Sequence, residues 1–209
     1  MRRSLPLLAD HSLGKIKSAK AQVASDFERE LRETAVLKHQ RVSCRSGCAN
    51  CCHHPVHVSL AEGVLIYRFL TEHGRWTPSL REKIRKHAEQ TKDLPFEVWF
   101  LSAIPCPLLN TANECSAYKG RPLQCQLTYS MGDPDNCHPH RMQNMLMLER
   151  QTALTEFYGI QNRELRRHGA QVILMPLSLA LLMAEKIVAG EIELESADMA
   201  VLREYMEIT

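Results

Sequence analysis

The sequence predicts a mainly α, single-domain fold in which an irregular cysteine-rich centre is packed between helices. Three observations predict it. Apolar residues recur at three- to four-residue spacing towards both ends of the chain. Capping residues stand where those periodic runs begin and glycines where they stop. The middle, from Pro95 to about His140, is instead rich in Pro, Asn, Asp and Cys. The boundaries expected are 1–43 for an N-terminal helical segment, 44–140 for the cysteine-cluster core and 141–209 for a C-terminal helical segment.

The totals set limits. At 209 residues, 44% hydrophobic and 24% charged, the chain suits one ordinary soluble domain. A formal net charge of +2 argues for neither a nucleic acid nor a membrane partner. Met1-Arg2-Arg3 is basic, but Leu5 to Ala9 is short, holds Pro6 and runs into Asp10, so no targeting peptide is expected. The most apolar stretch, Val172 to Ala184, is interrupted by Pro176 and is shorter than the ~20 residues a bilayer requires. The expected location is therefore cytoplasmic.

Residues 12–40 read as one long helix capped by Ser12. Leu13, Ile16, Val23, Phe27 and Leu31 form its core face, and Lys15, Lys17 and Lys20 read as a solvated face. Ser59-Leu60-Ala61-Glu62 is a capping box, with Glu62 reaching back to the serine. The helix after it should reach about His73 and stop at Gly74. Thr77-Pro78 starts another, carrying Leu80, Ile84, His87 and Ala88 to the core. Pro105–Asn110 and Glu114–Tyr118 suggest a short β-hairpin turning at Thr111-Ala112-Asn113. Lys119–Pro122 reads as a turn and Met131–Asn136 as a loop. Met147, Leu154, Phe157 and Tyr158 mark a helical face ending near Gly159 or continuing to Gly169. Pro176 to Ala189 is an apolar helix terminated by Gly190, and Ser196 opens a last helix with Met199, Leu202 and Met206. The methionines lie at helical spacing and read as core filler.

Eight cysteines carry the chemistry. Without an export signal the expected compartment is reducing, where clustered thiols point to metal or redox chemistry rather than disulfides. Cys44, Cys48, Cys51 and Cys52 fall within nine residues; Cys106, Cys115, Cys125 and Cys137 follow at spacings of roughly ten. Cys48-x2-Cys51 lets two sulfurs converge on one ion, and Gly47 permits the backbone angle such a loop needs. In extended backbone Cys51 and Cys52 point to opposite sides, which suggests a shared or double centre. His53, His54, His57, His138 and His140 are each open to ligation, or to orienting a ligand by hydrogen bond. Sulfur-rich ligation suits zinc or iron, including an iron–sulfur cluster such as 4Fe-4S, and disfavours magnesium and calcium. Bound metal would also stabilise a middle segment with little regular structure.

Taken together, Cys44-x3-Cys48-x2-Cys51-Cys52, Pro105-Cys106-Pro107-Leu108-Leu109 and Cys115-Ser116-Ala117-Tyr118-Lys119-Gly120-Arg121-Pro122-x2-Cys125 resemble the YkgJ-type CxxCxxCC cysteine-cluster family over residues 44–137. The chain departs from that pattern in its wider first spacing, in Leu108 where Phe is usual and in Gln126 where Arg often stands. The resemblance implies a zinc- or iron-chelating domain. It also extends to flagellin lysine N-methylases, which implies a metalloenzyme modifying a protein or small molecule as the alternative. Cys44-x3-Cys48-x2-Cys51 has the spacing of radical S-adenosylmethionine enzymes, but Asn50 stands where those place an aromatic residue and no strand–helix succession supplies their barrel.

Other chemistries fare less well. A cysteine–histidine nucleophile among seven other thiols invites oxidation or metal capture. Arg121 either binds an anion beside the metal or bonds backbone carbonyls in its turn. Arg41, Arg45, Lys119, Arg121 and Arg141 lie near the cysteine blocks, but a nucleic-acid role needs them clustered on one face. The expected partner is an unidentified protein or small molecule.

Overall fold

A computed structural model describes residues 10–37, 39, 41–45, 47–130, 133–141, 147–167 and 172–191. The long N-terminal helix, α1 (Asp10–Leu37), buries Leu13, Ile16, Val23, Phe27 and Leu31, as the periodicity predicts. Its start does not follow the prediction. Ser12 lies inside the helix, buried, and its hydroxyl donates to Glu164 Oε1 at 3.3 Å instead of capping. The helix also stops at Leu37 rather than 40; His39 just beyond adopts φ 51°, a left-handed angle that helical backbone cannot hold.

α2 (Leu60–Glu72) begins at Ser59, whose hydroxyl accepts from the Glu62 backbone N–H at 3.1 Å. Gly74, at φ 62°, follows its end as expected. α3 (Pro78–Thr91) is capped by Thr77, which accepts from the Leu80 N–H at 3.2 Å, and it buries Ile84, His87 and Ala88. α4 (Phe96–Ser102) is an element the sequence reading missed. Seven residues are too few to establish a period, and Phe96, Val98 and Leu101 face outward against the usual rule. α5 (Leu123–Gln126) is a single turn carrying Cys125. α6 (Met147–Arg166) runs through Gly159, and α7 (Leu177–Ala189) ends at Gly190, φ 74°, as expected. The expected helix opened by Ser196 lies outside the described residues, as do Met131 and Gly132 of the expected loop.

The expected hairpin is reduced to one antiparallel bridge, Leu109 to Cys115, around a tight turn. Asn110 Oδ1 accepts from the N–H groups of Ala112 and Glu114 at 2.9 and 2.8 Å, and Asn113 takes φ 58°. A second pairing was not legible in the sequence. β1 (His57–Ser59) runs antiparallel to β2 (Leu174–Pro176), with Val58 opposite Met175. Three-residue strands from opposite ends of the domain leave no local alternation to read.

α2 is the central helix. Ala61 and Val64 join Leu13, Ile16, Phe27, Leu123 and Phe157 in one apolar cluster, where α1 packs on α6. Ile66 and Leu70 join Ile84, Leu108, Leu181 and Met183 in the other, where α3 packs on α7. The cysteine-bearing segments rest against these clusters, with Cys106, Cys115 and Cys125 packed on the second.

His87 makes the fold sensitive to acid. It is buried on α3, shares a 3.1 Å hydrogen bond with Ser178 Oγ and meets the Trp99 ring edge-on. Burial, with a smaller contribution from Lys83, lowers its pKa from 6.5 to about 4. Between those values the unfolded chain binds a proton that the folded chain refuses, so stability rises with pH there. Acidification from pH 7 to about pH 4 is expected to remove about 3 kcal/mol through this residue. Urea unfolding across that window tests it; a His87→Leu variant with the wild-type pH slope would remove His87 as the cause.

Candidate metal centre

The first cysteine block is a loop closed on itself. Cys48 N–H donates to Arg45 O at 3.1 Å and Cys52 N–H to Ala49 O at 2.9 Å. Gly47 adopts φ 78°, the angle that only glycine takes without strain. Cys51 and Cys52 do not lie in extended backbone. They occupy a single 3₁₀ turn, Asn50–His53. The expectation that neighbouring side chains diverge therefore fails, because a 3₁₀ turn rotates successive residues by a third of a circle rather than a half.

The later block is tied to the first through backbone. Cys106 N–H donates to Cys52 O at 2.7 Å. Gln124, one residue before Cys125, spans Pro55 O and the His57 N–H, both at 3.2 Å. Asn50 Nδ2 donates to Pro134 O at 2.9 Å and to Asp135 Oδ1 at 3.0 Å, and the His54 ring meets Cys137 O through Nε2 at 2.6 Å. Ser130 connects the two remaining thiols. Its N–H donates to Cys44 Sγ at 3.4 Å, its hydroxyl donates to Asp133 O at 3.2 Å in the turn leading to Cys137, and its carbonyl accepts from Ser43 N–H at 2.9 Å. Sequence reasoning singled out neither Gln124 nor Ser130. Single polar residues that act by reaching across the fold carry no local pattern.

The thiols of both blocks act on one another. The adjoining Cys52 thiol, then burial, hold the Cys51 thiol well above its usual pKa. Burial, then the fields of Cys51 and Cys115, push Cys125 up to about 12. Burial raises Cys106, with Cys125 adding to it, and raises Cys115, with Cys51 contributing. Burial likewise pushes Cys137 to about 11 and raises Cys44, and Cys51 and Cys48 act on both. All eight cysteines are free thiols. Among the described residues no three Cys, His, Asp or Glu side chains already stand arranged to hold one ion.

The histidines line the edge of this region. His53 and His138 have ring centroids 5.1 Å apart, as do His138 and His140. His57 lies against Phe96 and Trp99 of α4, and His54 against Phe100. Burial lowers the pKa of His54 and His57. His54 and His140 each spend a ring nitrogen on a carbonyl, Cys137 O and Leu101 O respectively.

Beneath the thiols lies a charged layer that the sequence reading placed elsewhere. Lys20, expected on a solvated face, is 7% exposed and stands 3.6 Å from Glu62 Oε1. Glu62 is fully buried. Its carboxylate does not close the capping box; Oε1 accepts instead from the Leu123 N–H at 2.9 Å, at the first residue of α5. Arg121 sits with its guanidinium 4.1 Å over the Tyr118 ring, so it is not spent on the carbonyls of its own turn.

The family described as "CxxCxxCC: Putative zinc- or iron-chelating domain" matches residues 43–156. The chain belongs to the CxxCxxCC family. Every cysteine considered above falls inside the matched CxxCxxCC region, and so do α2 to α5. No curated protein and no solved structure matches the chain. The donor chemistry fits the metals this CxxCxxCC description names: thiols dominate, imidazoles stand beside them, and the buried surroundings disfavour hard, heavily hydrated ions. Among the described residues no helix is long and apolar enough to cross a membrane.

Proposed function

We propose that the two cysteine blocks hold zinc or iron, and that the metal organises the middle of the fold. The proposed ligands are drawn from Cys48, Cys51, Cys52, Cys106, Cys115 and Cys125, with Cys44 and Cys137 beside them. The observation that carries this reading is the Cys106 N–H to Cys52 O hydrogen bond, 2.7 Å, which docks the second block directly onto the first. Metal bound there would cross-link loops that hold little regular secondary structure. The protein's own part is to bring the segments together: Asn50, Gln124 and Ser130 fix the loops that carry the thiols. Thiols held above their usual pKa must release protons as they ligate, so loading should be favoured by rising pH. A reducing compartment, the cytoplasm, suits such a site.

Elemental analysis after anaerobic purification tests the reading. Stoichiometric zinc in colourless protein, or iron with the brown absorption of an iron–sulfur cluster, is the expected result. Cys51→Ser should weaken metal binding about tenfold or more and open residues 44–140 to proteolysis. Metal content and protease resistance equal to wild type would remove Cys51 from the ligand set. Absence of any stoichiometric metal in the wild-type protein would end the proposal.

A further inference from the structure

Among the described residues, the charged layer holds three cations, Lys20, Arg121 and Arg150, and one carboxylate, Glu62. Arg150, on α6, is 8% exposed, and its Nε is buried with no hydrogen-bond partner among the described residues. The Nε of Arg121 is in the same position. Lys20 is the third cation, and Glu62 is its carboxylate partner. α6 packs on α5, the turn that carries Cys125, with Leu123 beside Leu154 and Phe157 in one cluster, and the charges of Arg121 and Arg150 both favour the ionised form of that thiol. Arg150 acts on Cys51 as well.

A buried guanidinium without a counter-ion is costly, and interiors avoid it. Among the described residues, the ionisable groups that act on Arg150 are the Cys125 and Cys51 thiols and the Tyr158 hydroxyl, and no carboxylate pairs with it. Protonated thiols cannot neutralise it. Thiolates can, and four of them around a divalent ion carry net negative charge. Arg150 is also too enclosed to receive an anion directly from solvent.

We propose that Arg150 and Arg121 form a cationic wall that balances the negative charge of the loaded thiolate centre, while the Lys20–Glu62 pair fixes the start of the helix bearing Cys125. Neither arginine is a ligand; both act through the sulfurs. The proposal rests on the metal reading above and is tested separately from it.

The probe is zinc alone, titrated against a chromophoric chelator, with urea unfolding of the metal-free protein as the second readout. Arg150→Gln is expected to weaken zinc binding about tenfold or more, while the metal-free protein is as stable as wild type or more so, because an uncompensated buried charge is gone. Arg150→Lys, which keeps the charge, should stay within about threefold of wild type. Arg121→Gln, at a half-buried position that tolerates change better, should weaken zinc binding in the same direction. Wild-type zinc affinity in both glutamine variants overturns the proposal. So does a metal-free Arg150→Gln protein that is itself destabilised, since that marks a packing role. If Arg150→Gln does not fold, the proposal is overturned on the same ground, unless Arg121→Gln shows the loss of affinity with metal-free stability unchanged. If wild-type protein takes up neither zinc nor iron, the metal reading fails and this inference falls with it.

Discussion

Glu62→Ala is expected to destabilise the protein by about 3–5 kcal/mol, the range for removing one partner of a buried ion pair. As a capping-box residue Glu62 would be worth about 1 kcal/mol or less, and that is what its sequence context suggests. Its surroundings decide otherwise. The substitution leaves Lys20 as a charge buried at 7% exposure without its carboxylate. It also removes the acceptor of the Leu123 N–H, 2.9 Å away. Glu62→Gln keeps an oxygen for that N–H and should cost less. The Lys20→Met, Glu62→Leu double variant should recover much of the loss, because a buried pair replaced together by apolar groups is often close to neutral. Because Leu123 opens the turn holding Cys125, metal content should fall along with stability. Urea unfolding of the four proteins settles the point; a loss under about 1 kcal/mol for Glu62→Ala would return the residue to a simple cap.

Gly63→Val should be comparably damaging, at about 3 kcal/mol or more, for a reason of shape. Gly63 lies on α2 where that helix crosses α7. A Cβ placed there would come within 2.9 Å of Ala180 O and 3.0 Å of Ala180 Cβ. One of those atoms is backbone, so no rotamer change relieves the contact. Alanine already meets it, and the gain of about 1 kcal/mol in helix propensity works in the other direction. Gly63→Ala should therefore cost only about 1–2 kcal/mol, and the larger valine should separate the helices. Thermal unfolding midpoints that fall in the order glycine, alanine, valine are the expected result. A Gly63→Ala protein more stable than wild type would mean that α2 and α7 adjust freely, contrary to the close packing seen between them.

Gly63 and Glu62 are neighbours, yet the sequence says little about either. Both sit in a run that reads as an ordinary helix start. Their roles come from Ala180, Lys20 and Leu123, none of which is nearby in the chain. The same holds for β1 and β2, for Ser130, and for Arg150. Arg150 does leave one trace: it shares helical spacing with Leu154, Phe157, Gln161 and Leu165, all buried, so a cation on an apolar face was there to be noticed.

What the sequence settled by itself is what depends on nearest neighbours. The core face of α1, the caps at Ser59 and Thr77, and the stops at Gly74 and Gly190 are short-range hydrogen bonds and steric preferences, written in adjacent residues. The two cysteine blocks and the family they mark are legible for the same reason, since spacing is a local property. Only the tertiary structure decided that the Cys106 backbone docks on that of Cys52, that Cys51 and Cys52 share one tight turn, and that Lys20 is inside the protein opposite Glu62. Those outcomes depend on pairing between distant segments, where desolvation and charge are decided by what the fold places alongside.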